Sequence, residues 1–391
     1  MMKKHLCILL AILMIMAMFV GCASNKTGTV TPSASPEVSA ATPSTAAPAP
    51  ASPEDTQAPD ELVYTGPAME LTVNLNAPEE QSPQYMAAFK RITERTGGKV
   101  TFVYYFSGSL LTANDAMEGL GAGMADFSDV ALANFKDQFP YTQQVVSYPF
   151  LGFTSLSMAA DVINDVVLEN DLMMQEFNAV NIQPIFCVGV WGTAIALAKD
   201  IEISTPDTVA GLKLVTDNPN FSRFLNENGA TPIGQPPMEY YTSMTNGVAD
   251  GVINGLNVIN IFGALQPAKC VYMFDNSVST GMKAICANLD TWNSFDDTLK
   301  AIVMDELQYS ETYWEDNYVW WTTSDQSHLD KAEEWGIPVR YIEGDTMQVW
   351  VDGLKPYGDE MLQDLYDRGY TEVFNILDMW NEAIANYDGK Y

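Results

Sequence analysis

Residues 69–106 read MELTVNLNAPEEQSPQYMAAFKRITERTGGKVTFVYYF. Leu71, Val73 and Leu75 alternate with polar residues, which predicts a strand over 70–76. Ser82-Pro83 then supplies a helix start, with Ser82 as N-cap and Pro83 at the first helical position. Met86, Phe89 and Ile92 form an apolar stripe at helical spacing, and Gly97-Gly98 ends it. Val100, Phe102, Tyr104 and Phe106 alternate again, as a second strand does. Strand, helix, strand in this order, continued below, predicts an α/β fold with a mixed sheet sandwiched by helices.

The same grammar runs onward. Ser107-Gly108-Ser109 reads as a turn. Helices are expected from about Asn114 to Ala122, over 156–167 and over 170–179, and a buried strand over 183–191. Thr205-Pro206-Asp207 opens a short helix with Thr205 as N-cap. Leu212–Val215 is a strand, followed by helices over 219–228 and 238–246 and a strand over Val248–Ile253. From 296 onward long helices rich in Trp and Tyr dominate. No internal repeat is evident, and 391 residues suffice for two lobes.

The amino-terminal end has a different character. Lys3 and Lys4 precede an apolar run from Leu6 to Val20, shorter than the roughly 20 residues of a membrane span. Phe19-Val20-Gly21-Cys22 resembles the lipobox of bacterial lipoproteins, with Phe where Leu is usual. It implies removal of residues 1–21 as a signal peptide and a lipid-modified Cys22. The alternative is an ordinary signal peptide with an incidental cysteine. Of the 38 residues from Ala23 to Asp60, 28 are Ala, Pro, Ser or Thr. Such a stretch buries too little surface to fold, so 22–67 reads as a disordered tether. The expected location is extracytoplasmic, lipid-anchored to the outer face of the cytoplasmic membrane, and periplasmic in a Gram-negative cell.

Composition narrows the chemistry. Fifty Asp+Glu face 19 Lys+Arg, a net charge of −31. Nucleic-acid binding needs clustered Lys and Arg and is disfavoured. The two histidines are His5 and His328. With His5 in the leader, a multi-His metal site or a hydrolase triad would rest on His328 alone. The mature region keeps Cys187, expected as a buried thiol, and Cys270 and Cys286, between which a bridge is conceivable. No G-x-S-x-G, H-E-x-x-H or P-loop occurs.

Several fragments together resemble one family. They are Thr93–Val100 (TERTGGKV), Phe106–Leu111, Gly123-Met124-Ala125-Asp126 and Tyr148-Pro149-Phe150-Leu151. Further along come Ile203–Leu214 (ISTPDTVAGLKL), Gly229–Pro232, Glu239-Tyr240-Tyr241 and Asn246–Gly251 (NGVADG). In this order and spacing they are similar to the extracytoplasmic solute-binding proteins of TRAP transporters, C4-dicarboxylate-binding type. The resemblance implies a two-lobed periplasmic-binding-protein-like fold with crossing hinge strands and a long connecting helix. It implies a small-molecule solute in the interlobe cleft, membrane permease subunits as partners, no cofactor and no enzymatic activity. Lobe I is then 68–192 plus 279–320, and lobe II is 193–278 plus 321–391.

The departures from the family pattern bear on the solute. The family's carboxylate-clamping arginine follows the "GlKi" segment, where this chain has Val215. A second family arginine falls at Ala194, and a stacking aromatic at Pro237. Asn254 matches a family Asn. The solute is therefore expected to be neutral, zwitterionic or cationic. Trp191 is a candidate apolar or cation-stacking wall. Asn76, Glu79, Asn134, Asp217, Asn218 and Tyr240 are candidate polar contacts, with Glu79 and its neighbour Glu80 otherwise solvated. Lys136, Lys213 and Arg223 could replace the missing arginine, Lys213 being expected to turn to solvent. Trp320 and Trp321 read as core. A surface solute sensor for a signalling receptor and a surface hydrolase are the alternative functions.

Overall fold

The computed structural model describes residues 63–153, 156–189, 193–216, 218–274, 281–309 and 326–388. The leader, the tether through residue 62 with Cys22, and Trp191, Asp217, Trp320 and Trp321 lie outside the described residues. Residues 63–67, expected as the end of the tether, instead bring Tyr64 into the first sheet's core, its hydroxyl donating to the Pro67 carbonyl at 2.8 Å. The first sheet holds β1 (Met69–Asn74), β2 (Val100–Tyr105), β3 (Phe127–Ala131), β4 (Ile182–Gly189) and β10 (Met282–Asn288), in the order β2-β1-β3-β10-β4. β1 and β2 pair in parallel with Met69 opposite Val100. The second sheet holds β5 (Thr193–Leu197), β6 (Lys213–Val215), β7 (Thr231–Ile233), β8 (Gly251–Gly255), β9 (Cys270–Phe274) and β11 (Val339–Ile342). Its order is β11-β9-β5-β8-β6-β7. Both sheets are mixed, because β10 and β5 run antiparallel to their neighbours.

The chain leaves the first sheet between β4 and β5 and returns between β9 and β10, so each sheet is built from two separate stretches of sequence. The helix Gly344–Asp367 makes a further link. Its Met347, Trp350, Leu354 and Tyr357 join the second sheet's core with Phe221, Phe224 and Tyr272. Its Leu362 and Leu365 join the first sheet's core with Val162 and Val166. Pro356 sits inside this helix, between the two halves. There Lys355 Nζ donates to the Tyr148 hydroxyl at 3.0 Å, and that hydroxyl donates to Asp359 Oδ1 at 2.6 Å. Gly358 leaves room for the same tyrosine, since a Cβ there would lie 2.6 Å from its ring.

Local expectations need four corrections. On the helix Pro83–Arg95 the buried face is Tyr85, Ala88, Phe89 and Ile92, so Tyr85 rather than Met86 leads the stripe. Ser82 does not cap this helix. A single turn over Glu79–Gln81 precedes it, and the Ser82 hydroxyl donates to the Pro78 carbonyl at 3.1 Å. Thr205 likewise makes no cap bond, its hydroxyl donating to Asp207 Oδ1 at 2.5 Å. Finally, the helix Val373–Ala385, assigned by sequence to the second lobe, buries Val373, Ile376 and Trp380 in the first sheet's core. Its amphipathic face fits either sheet, and only the path of the preceding helix decides between them. The conceivable Cys270–Cys286 bridge is absent. The two residues lie in different sheets, and Cys187, Cys270 and Cys286 are all buried free thiols.

Candidate functional site

In open α/β sheets, ligands bind outside the carboxyl ends of the parallel strands. At the first sheet this edge is formed by the ends of β1 and β3 and the beginning of β10. Asp129 on β3 is 1% exposed. Its Oδ1 accepts from the Asn76 backbone and side-chain amides, each at 2.8 Å, and its Oδ2 from Lys283 Nζ at 2.6 Å. Asn76 thus ties the loop after β1 to the strand. The Lys283 side chain is 29% exposed and its ammonium lies 5.9 Å from the Tyr85 ring centre. Burial opposes the Lys283 charge, but the Asp129 carboxylate more than compensates and raises its pKa. Burial raises the Tyr85 hydroxyl. Glu79 and Glu80 are on an exposed turn. Asn134, also exposed, donates to the Ala113 carbonyl at 3.4 Å and to Asn114 Oδ1 at 3.3 Å.

At the second sheet, Asn254 lies at the end of β8. Its Nδ2 donates to the Tyr240 hydroxyl at 3.0 Å and its Oδ1 accepts from the Gly255 amide at 2.8 Å. Tyr240 is fully buried, whereas Tyr241 is exposed. Ala194 faces Asn254 across the β5–β8 ladder, and Val215 faces Val252. Both are fully buried in one apolar cluster with Tyr240, Met244 and Val252. Pro237 opens a short turn before Tyr240. Just upstream, Gln235 Oε1 accepts from Ser243 Oγ at 2.9 Å, while its buried Nε2 has no partner among the described residues. Asn218 caps the helix Pro219–Glu227 by accepting from the amides of Asn220 and Phe221.

The cations proposed from sequence are differently employed. Arg223 Nη2 pairs with Glu360 at 2.8 Å, and its guanidinium covers the Tyr357 ring at 5.1 Å, on an exposed helix face. Lys213 Nζ donates to the Gly247 carbonyl at 2.6 Å on the exposed side. Lys136 is exposed. The aspartate of the NGVADG segment is structural. Asp250 accepts from Lys199 Nζ at 2.7 Å and from the Lys213 amide at 2.9 Å, binding β6 to β8. Sequence reasoning overlooked Asp129, Lys283, Gln235 and Ser243. The available signal for the first two was a lone charge inside an apolar strand, FSDVA and MKAICAN.

Elsewhere a hollow of about 480 Å³ flanks the outer strand β11, but Arg340 there is committed to Asp200 at 2.8 Å and to the Tyr272 hydroxyl at 3.1 Å. Among the described residues no His, Cys, Asp and Glu group could hold a metal ion, and no helix is long and apolar enough to cross a membrane.

Comparison with known proteins agrees with this architecture. A solute-binding protein of Chromohalobacter salexigens is 20% identical over 299 residues, covering 74% of this chain and 84% of its own. A TRAP periplasmic solute-binding protein from Desulfovibrio salexigens superposes with a TM-score of 0.70 at 23% identity, covering 83% of this chain and 98% of its own. A marine-metagenome TRAP solute-binding protein specific for aromatic acids, crystallised with 3-hydroxybenzoate, gives 0.69 at 14% identity, covering 83% and 100%. A third, from Roseobacter denitrificans with bound β-D-glucuronate, gives 0.63 at 19%, covering 80% and 99%. Residues 74–364 match the family described as DctP, bacterial extracellular solute-binding protein, family 7. With two mixed sheets whose carboxyl edges carry the polar residues, and with that match over most of its length, the chain belongs to this family, whose role is to bind a small solute and deliver it to a TRAP permease.

Proposed function

We propose that the solute lies between the two carboxyl edges and that its face toward the second sheet carries no carboxylate. The observation that carries this reading is the burial of Ala194 and Val215, fully enclosed at the two positions where the resemblance places arginines. Neither can donate a hydrogen bond. A carboxylate desolvated beside them costs several kcal/mol without a partner. The surface ion pair of Arg223 and the outward turn of Lys213 support the same conclusion. The acids named for the aromatic-acid and glucuronate proteins are therefore poor guides to this chain's solute. Asn254 takes the hydrogen-bonding role at the second edge. Calorimetry against a panel of C3–C6 acids tests the reading. A sub-micromolar Kd for any of them, abolished by Arg223→Ala or Lys213→Ala, would overturn it and restore an acid clamp.

The same proposal extends to anchoring. The lipobox-like Phe19–Cys22 supports a diacylated Cys22 that holds the protein at the membrane, with 22–62 as tether, within reach of the permease. Two acyl chains suffice for stable attachment. Cys22→Ser is expected to release the protein from the membrane fraction or to block its processing. A variant that fractionates as the parent does would remove the lipid anchor.

A further inference from the structure

Lys283 is a charged side chain at the first edge whose bonding is incomplete among the described residues. An ammonium has three N–H donors. Among the described residues its hydrogen-bonding partner is Asp129, at 2.6 Å, and its neighbour is the Tyr85 ring face. The side chain stays 29% exposed, at the end of the sheet where ligands bind, and its remaining donors have no acceptor among the described residues. At the second edge Gln235 Nε2 is likewise a buried donor without an acceptor among the described residues, its amide oriented by Ser243. Both edges therefore offer donors, Lys283 and Gln235, beside the buried acceptors Gln84 Oε1 and Asn257 Oδ1, which also have no partner among the described residues, and a solute matching the two donors offers oxygen acceptors.

The charge of that acceptor follows from Asp129. A second anion bound to the same ammonium would lie about 4.5 Å from the Asp129 oxygen, given tetrahedral N–H directions. Coulomb energy falls only as 1/r, so the repulsion cancels over half of the attraction. The Lys283–Asp129 pair is neutral overall, and the rest of the chain is strongly acidic. A carboxylate would give up its hydration for little return. A carbonyl or hydroxyl oxygen meets no such repulsion and still receives a charge-assisted hydrogen bond. We infer that Lys283 is a solute-binding residue that donates to an uncharged oxygen, and that the solute is a neutral polar molecule such as an amide, lactam or polyol. This rests on the solute-binding reading above and narrows it. Asp129 acts as a selectivity residue that neutralises the lysine against acids.

The test uses the mature full-length chain and three matched pairs: D-glucose and D-glucuronate, pyroglutamide and pyroglutamate, 3-hydroxybenzamide and 3-hydroxybenzoate. Each is titrated calorimetrically into the parent, Lys283→Met and Asp129→Asn, with thermal melts confirming that each variant folds. The parent is expected to bind the uncharged member of a pair at least tenfold tighter than its acid. Lys283→Met is expected to weaken that binding about 10- to 150-fold, the worth of a hydrogen bond to a charged donor. Asp129→Asn keeps an acceptor for Asn76 but removes the neutralising charge, so the acid should gain at least tenfold relative to its partner. This second variant keeps the proposal falsifiable if Lys283→Met does not fold. Tighter binding of the acid by the parent, an unchanged Kd in folded Lys283→Met, or an acid-to-neutral ratio unmoved in Asp129→Asn would overturn the proposal and leave solute binding intact. Silence of all six compounds toward the parent would count against both readings.

Discussion

Asn254 joins the end of β8 to the buried Tyr240 hydroxyl and to the Gly255 amide, so its amide is held still before any solute arrives. Removing a buried hydrogen-bonding side chain costs about 1–3 kcal/mol. Asn254→Ala is therefore expected to weaken solute binding about 5- to 150-fold by calorimetry, and an unchanged Kd would place the solute elsewhere. Single residues were legible in the sequence where chemistry and pattern coincided. Val215 and Ala194 could be read as missing donors because a motif fixed their positions. Lys283 could not, because its meaning comes from Asp129, more than 150 positions earlier, and only the β3–β10 ladder brings them together. Asn218 misled for a similar reason. A polar residue before a proline and an apolar stripe fits a binding loop as well as a helix cap, and here it is the cap.

At the scale of elements, the helix Gly344–Asp367 carries one prediction. A Cβ on Gly358 would press to 2.6 Å from the Tyr148 ring and 2.8 Å from Pro149, neither of which can swing clear of a buried segment. Gly358→Ala is expected to destabilise by about 1–3 kcal/mol, as overpacking does, visible as a lower denaturation midpoint. A shorter helix, over 326–334, carries His328, whose Nδ1 accepts from Asn260 Nδ2 at 2.8 Å. Burial lowers its pKa below 6.5, so the fold favours the neutral ring. The stability it contributes is complete above pH 6.5 and is lost as pH falls through the depressed value. Between pH 6.5 and 5 the melting temperature of the parent should fall more steeply than that of His328→Gln, and parallel profiles would exclude this linkage. Strands and helices with strong alternation or stripes were legible in advance. β3, β5, β9 and β10 were not, because they are buried almost throughout and so show no alternation, and neither were β7 and β11, since three or four residues hold no period and form only because a neighbouring strand is present.

For the whole molecule, two sheets between which the chain passes twice, together with one spanning helix, favour hinge closure on solute. The radius of gyration should fall by roughly an ångström at saturation, and unchanged small-angle scattering would remove closure while leaving binding in place. The family resemblance implied this architecture, but which core received the last helix depended on a path no local pattern records. The same winding has a consequence for synthesis. β10 fills the gap between β3 and β4, yet it leaves the ribosome about a hundred residues after β4. Until then the first sheet is split in two and its core is open. Contacts so distant along the chain close slowly. That core also waits for Leu362, Leu365 and Trp380, so it cannot close until almost the whole chain has been synthesised.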